Sequence, residues 1–164
     1  MFGIDVESKG KSGGLMLLWN KSVVVHIRSY STDYIDAKVH RKGEVDMWRF
    51  TGFYGNPDVS KRKKSWMQLV RLSQDRNLSW LCLGDFNEVL ARIEKSGTPR
   101  SNWQIQNFRD ALQQINLTDL GYTGYKYTWW NRRDSPYIVG ARLDRATITD
   151  GTPSFQWIKF FTCR

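Results

Sequence analysis

Cysteine is scarce in this sequence. Cys82 and Cys163 are the two in 164 residues and stand far apart. A disulfide framework is thereby excluded, and both are expected as reduced thiols of an intracellular protein, nuclear or cytoplasmic. Long apolar runs are missing too. Nothing approaches the roughly 18 consecutive apolar residues of a membrane span, and the opening MFGIDVESKGKSGG lacks the apolar stretch of a secretory signal. Internal repeats, low-complexity tracts and interdomain linkers are also lacking, so the length favours one domain. No membrane and no obligate protein partner is expected.

What is present is ordinary globular material with an unusual charge. Hydrophobic residues make up 40% and charged residues 25% of the chain, with eight Trp, seven Tyr and eight Phe. The mean hydropathy of −0.55 then requires these apolar groups to be gathered into periodic segments. The net charge of +9 is what a protein acquires when its partner is a polyanion, because Lys and Arg contacts to phosphate release condensed counterions. A solvated basic surface without a specific partner accounts for the charge equally well, so motifs must decide.

Gly14 to Trp19 and Val23 to Ile27 are short apolar runs flanking Asn20-Lys21-Ser22, which predicts two strands and a tight connection. From Tyr34, Ile35, Ala37 and Val39 alternate with Asp36, Lys38 and His40, the period of a half-buried strand. Gly43 permits a turn into a further strand over Met47 to Phe53, giving an antiparallel meander. His26 and His40 fall inside these strands and read as structural.

After Pro57 the period becomes helical. Ser60 is a candidate cap, with Trp66, Leu69, Val70 and Ser73 on one face. The segment Asp58 to Arg76 holds six basic and two acidic residues, with Lys61, Arg62, Lys63 and Lys64 crowded at its start. Basic charge there opposes the helix dipole, so helix stability did not select it. A solvated face or a phosphate partner explains it. Trp80 to Gly84 suits a strand buried on both faces. A second helix from about Ser101 carries Ile105, Phe108, Leu112 and Ile115, and Leu117 to Gly121 ends it. Tyr125 to Trp130 and Ala141 to Ile148 read as a strand pair joined by a polar loop. Strands with few helices between them predict an α+β fold, helices covering β-sheets.

Asp85-Phe86-Asn87 leaves the buried strand as a carboxylate and an amide. Strand alternation would send both to one side and Phe86 to the other. Such a pair can accept a proton from water and orient it, as general-base hydrolysis requires; Asp and Asn are equally at home as turn formers at strand ends. The residues around it resemble the endonuclease/exonuclease/phosphatase (DNase I-like) family in several ordered blocks. Leu83-Gly84-Asp85-Phe86-Asn87 is similar to its GDFN signature, and Ser12-Gly13-Gly14-Leu15 with Leu17-Leu18-Trp19 to an SGG strand start. Gly52-Phe53-Tyr54-Gly55-Asn56-Pro57 and Arg142-Leu143-Asp144-Arg145 resemble two further blocks. Leu120-Gly121-Tyr122-Thr123-Gly124-Tyr125 with Tyr127-Thr128-Trp129, and the Glu94-Lys95-Ser96-Gly97 loop, resemble the domain carried by plant LINE-type retrotransposons.

The resemblance implies a partial DNase I-like fold, mostly antiparallel sheets packed as a sandwich and covered by helices. Residues 1–164 would form a single incomplete domain, truncated at both ends and about two-thirds of the usual length. It implies that Asp85 positions or deprotonates the attacking water and that Asn87 orients it or contacts phosphate. Tyr54 would donate to a phosphate oxygen, and Asp144 would orient a catalytic His. Apart from the resemblance, Tyr54 reads as a buried strand aromatic and Asp144 as a partner of Arg142 or Arg145. The family's Mg2+-binding Glu and closing Asp-His pair have no counterpart here, so the metal ligands are unknown and turnover is expected to be low. The implied function is a Mg2+-dependent endonuclease acting on DNA. A basic nucleic-acid-binding module using Lys61, Arg62, Lys63 and Lys64 is the alternative, with an inositol-phosphate phosphatase less favoured.

Overall fold

A computed structural model of the chain describes residues 1–7, 14–75, 77–149 and 158–162. Its strands are β1 (Phe2–Val6), β2 (Leu15–Trp19), β3 (Val23–Ser31), β4 (Tyr34–Arg41), β5 (Met47–Tyr54), β6 (Trp80–Asp85), β7 (Thr118–Asp119), β8 (Trp129–Trp130), β9 (Gly140–Ala141), β10 (Asp144–Ile148) and β11 (Ile158–Thr162). Among the described residues, two α-helices, α1 (Arg62–Leu72) and α2 (Asn102–Gln114), and short 3-10 turns over Val59–Lys61 and Arg92–Glu94 complete the regular structure. A six-stranded sheet runs β3-β4-β5-β6-β10-β7, a three-stranded sheet β1-β2-β11, and β8 pairs with β9.

The six-stranded sheet is buried on both faces along β5 and β6, where nearly every residue is inaccessible. On one face Leu81, Phe50 and Trp48 pack with Leu15 and Leu17 of the smaller sheet. On the other, Phe53, Cys82 and Phe86 meet Trp66, Leu69, Phe108 and Leu112 of the helices. The aromatic contacts there are close, with ring centroids 5.3 Å apart for Phe53–Phe86, 5.5 Å for Phe86–Phe108 and 4.6 Å for Trp66–Phe108. Truncating such a side chain to Ala removes about 3–5 kcal/mol. This is the α+β sandwich that the sequence predicted, with helices outside one sheet.

Several local expectations change. The meander is β3-β4-β5 only, because Asn20-Lys21-Ser22 carries the chain out of the β1-β2-β11 sheet into the larger one. Asp58, not Ser60, caps the helical entry: its carboxylate accepts from Ser60 N through a short 3-10 turn over Val59–Lys61 that precedes α1. Ser101 caps α2 in a capping box with Gln104. The predicted pairing of Tyr125–Trp130 with Ala141–Ile148 is confined to β8 and β9. Beyond Ala141 the chain turns away, and β10 joins β6 on one side and β7 on the other. Strand periodicity identifies an element but not its neighbour, which is why partners were misassigned; β1, β7 and β11 were not named at all, and β9 and β10 were read as one strand over Ala141 to Ile148. Cys163, Ser12 and Gly13 lie outside the described residues. Cys82 is a buried free thiol, its pKa pushed up by burial.

Candidate functional site

β5 and β6 run parallel, so their carboxyl ends lie side by side, and β10 starts there in the opposite direction. The register pairs Tyr54 with Asp85 and Asp85 with Asp144. Residues in register on adjacent strands project to the same face. Tyr54, Asp85 and Asp144 therefore form a row across three strands, on the face covered by the β1-β2-β11 sheet. Asp85 is fully buried and Tyr54 nearly so, while Asp144 is half-buried at the rim.

Glycine lets the strands close here. A Cβ on Gly84 would fall 1.9 Å from Phe53 O, and its φ of +156° is one that side chains disfavour. A Cβ on Gly55 would fall 2.3 Å from Phe86 O. These contacts let Gly55 N donate to Asp85 O at 2.7 Å and Phe86 N to Leu143 O at 2.9 Å, joining the three chain segments just past the row.

Asn87 arrives by a turn and not by strand alternation. Its φ of +55° is left-handed, its backbone N–H donates to Asp85 Oδ1 at 2.8 Å, and its Nδ2 donates to Gly55 O at 2.6 Å. Asp85 and Asn87 thus form an Asx turn at the sheet end, with Phe86 in the helix-side core. One amide N–H of Asn87 is committed to protein, so its oxygen and second N–H are what it can offer a ligand. Thr128 fixes the rim: its Oγ1 accepts from both Leu143 N and Asp144 N, each at 3.0 Å.

Around this row lie buried charges that sequence reasoning missed. Glu88 accepts from Arg62 Nη1 at 2.6 Å, and Arg100 Nε lies 3.1 Å away. Arg62 also donates to Asn56 O and Pro57 O, tying the loop after Tyr54 to the loop after Asp85. Burial lowers the Arg62 pKa, and Glu88 offsets part of that. On the other flank, Glu94 and Asp119 hold Arg142 and Arg145, with contacts between 2.7 and 3.4 Å. Burial alone would raise the Glu94 pKa. The hydrogen bond and charge of Arg145, with the Leu90 N–H and Arg142, hold it below the usual glutamate range. Their only sequence signal was position: Glu88 follows Asn87 directly, and Arg142 and Arg145 flank Asp144.

The basic cluster divides. Lys61, Lys63 and Lys64 are exposed, and Lys61 pairs loosely with Asp58 at 3.5 Å. Arg62 is 5% exposed and belongs to the Glu88 ion pair, so the expectation that it contacts nucleic acid is corrected. Helical rotation turns it inward while its neighbours point out.

Mg2+ takes six oxygens, usually one or two carboxylates with water and phosphate. At the row, Asp85 is wholly buried and spends one oxygen on the Asn87 N–H, leaving Asp144 as the accessible carboxylate. Among the described residues no three His, Cys, Asp or Glu side chains converge to hold a metal ion. The described donors therefore do not by themselves make a Mg2+ site. His40 pairs with Met47 at the opposite end of β5, far from Tyr54.

The sequence model of the Endonuclease/Exonuclease/phosphatase family matches residues 3–152. No curated protein matches. Among solved structures, the chain resembles the endonuclease domain of TRAS1, a telomere-specific non-LTR retrotransposon. The TM-score is 0.65 and the identity 11%, over 90% of this chain and 67% of that one. It also resembles SmcL, with TM-score 0.51 and 14% identity over 88% of this chain and 62% of that one. A beta toxin mutant from Staphylococcus aureus, solved with bound magnesium ions, gives 0.46 and 17% over 76% and 44%. At these identities the first two likenesses establish a shared fold.

Proposed function

The chain belongs to the endonuclease/exonuclease/phosphatase family, and from that premise we propose that it cleaves phosphodiester bonds in DNA, in the manner of a retrotransposon endonuclease leaving a 3′-hydroxyl. The observation that carries this reading is the register row Tyr54–Asp85–Asp144 at the carboxyl ends of β5 and β6. A phosphate at that mouth would meet the Tyr54 phenol and the Asn87 amide that closes the turn, and a water that reached the buried Asp85 carboxylate would be held behind them. Asp85 would take the proton of the attacking water. Tyr54 would donate to the phosphate oxygen where charge accumulates. Asp144, at the rim, would orient a protonated group that gives its proton to the leaving oxygen. Lys61, Lys63 and Lys64 supply non-specific attraction for the backbone.

Turnover by this chain is expected to be slow, because the described carboxylates do not build a Mg2+ site and a bound cation is what neutralises charge in such transfers. Nicking of supercoiled plasmid, with and without added Mg2+, tests the reading. Slow nicking that Asp85→Asn reduces a hundredfold or more supports Asp85 as the base. Nicking equal in parent and variant removes the catalytic reading. A second reading then remains, a basic nucleic-acid-binding module, favoured by the three exposed lysines at an α1 start where the dipole opposes them.

A further inference from the structure

On the helix-covered side of the central sheet, α1 and α2 leave an open cleft of about 730 Å3. One wall carries Lys63, Met67 and Arg71, each a helical turn from the last; the other carries Trp103, Asn107 and Gln114. The floor is Trp66, whose ring stacks on Phe108 at 4.6 Å, with Ala111 beside it. Arg62 and Glu88 also line the cleft. Arg62 grips the carbonyls of Asn56 and Pro57, and Asn56 follows the Gly55 that accepts from Asn87. The cleft is thus joined to the row at Asp85 by one short loop.

Two of its apolar groups are left largely in water, Trp103 at 59% and Met67 at 58% exposure. Among the described residues, the unpaired cations of its lining are Lys63 and Arg71, with the exposed Lys61 and Lys64 just before them outside the cleft; its acids are Glu88, which Arg62 holds, and Asp110 on the Trp103 wall, bonded to Gln106. A second copy of this chain would bring another +9 charge to a basic rim, so self-association is disfavoured by charge. The complementary partner is a polyanion that also offers a flat apolar face. A duplex presents only base edges in its grooves. An unpaired base presents its π-face, which stacks on aromatic side chains. The Asn107 amide, one helical turn from Trp103, supplies a donor and an acceptor for such a base's edge.

We propose that the α1–α2 cleft binds an unpaired nucleotide of single-stranded nucleic acid, the base stacked on Trp103 and the phosphates held by Lys63 and Arg71. The inference rests on the proposed phosphodiesterase reading only for the identity of the polyanion. It adds a second contact for the strand held at the Asp85 row.

Fluorescence anisotropy of the whole chain with a labelled single-stranded oligonucleotide and the duplex of the same sequence tests it. The single strand is expected to bind more tightly than the duplex. Trp103→Ala should weaken single-strand binding about tenfold while leaving duplex binding and the melting temperature unchanged, since Trp103 is exposed. Lys63→Ala should reduce the slope of log affinity against log salt by about 0.7 on the single strand. Unchanged single-strand affinity in Trp103→Ala overturns the proposal. So does an equal loss on duplex, or a Trp103-dependent change in the mass of the free chain, which would mark a protein interface. Asp85→Asn separates the two readings: it should keep single-strand affinity while abolishing nicking. Loss of binding in Trp103→Ala beside unaltered nicking in Asp85→Asn would leave the cleft standing and remove the nuclease.

Discussion

The two arginines of Arg142-Leu143-Asp144-Arg145 and the aspartate between them are neighbours in sequence, yet they serve opposite faces of the sheet. Asp144 joins the row with Asp85 and Tyr54 under the smaller sheet. Arg145, wholly buried, lies over the Phe108 ring and clasps Glu94 and Asp119 on the helix side. One face keeps a carboxylate at the rim of a mouth; the other saturates its charges with partners. Charge near a candidate site is therefore of two kinds: alternation within β10 turns Arg145 away from Asp144, and Arg142, which precedes the strand, reaches Glu94 and Asp119 from the loop. The arginines hold β7, β10 and the loop at Glu94 together, while Asp144 stands half-buried in the row.

The largest effect that sharpens this contrast is on stability. Arg145→Met should cost about 3 kcal/mol in urea unfolding, because Glu94 and Asp119 would keep Arg142 alone as a buried counter-ion. Nicking should fall only as far as the folded fraction does. A variant that stays fully stable but loses nicking would break the division, placing Arg145 in the chemistry.

Asp144→Asn tests the other face. About a tenfold to hundredfold loss of nicking is expected with an unchanged unfolding midpoint, because the amide keeps the shape and loses the charge. A large drop in stability without a change in the activity of the folded fraction would move Asp144 to the scaffold.

How much of this division was legible beforehand depends on which physical signal each residue leaves. The stripe Ile105, Phe108, Leu112, Ile115 and the buried run Trp80 to Gly84 were readable, because period and apolar content act along the chain. That Asp85, Tyr54 and Asp144 share a register was not, since pairing partners are chosen by contacts far apart in sequence. The family resemblance singled them out; the fold brings them side by side. The inward turn of Arg62 was within reach of a helical wheel, because it lies four residues before buried Trp66 and seven before Leu69. Counting it with three lysines as one basic patch hid that. Glu88 and Glu94 left no local signal of their partners, as buried ion pairs seldom do.

Thr128 joins the two faces, and its effect should be smaller. Thr128→Val removes the acceptor of Leu143 N and Asp144 N and should cost about 1–2 kcal/mol. Thr128→Ser should restore most of it. Nicking per folded molecule should fall in Thr128→Val as well, because the strand that sets Asp144 would loosen. A purely structural Thr128 would alter stability alone.

The smallest expected effect is a pH slope confined to the saturated face. Glu94 has its pKa held below the ordinary 4.5 despite burial, chiefly by Arg145. A carboxyl whose folded pKa is depressed takes up its proton more readily in the unfolded chain. Its contribution to stability is complete above about pH 4.5 and fades as pH falls through the lower folded value. Urea midpoints measured from neutral pH downward should show that decline in the parent. Glu94→Gln, which has no proton to gain, should start less stable and decline less steeply. Equal slopes would show that the Glu94 carboxyl does not carry the acid sensitivity of the fold.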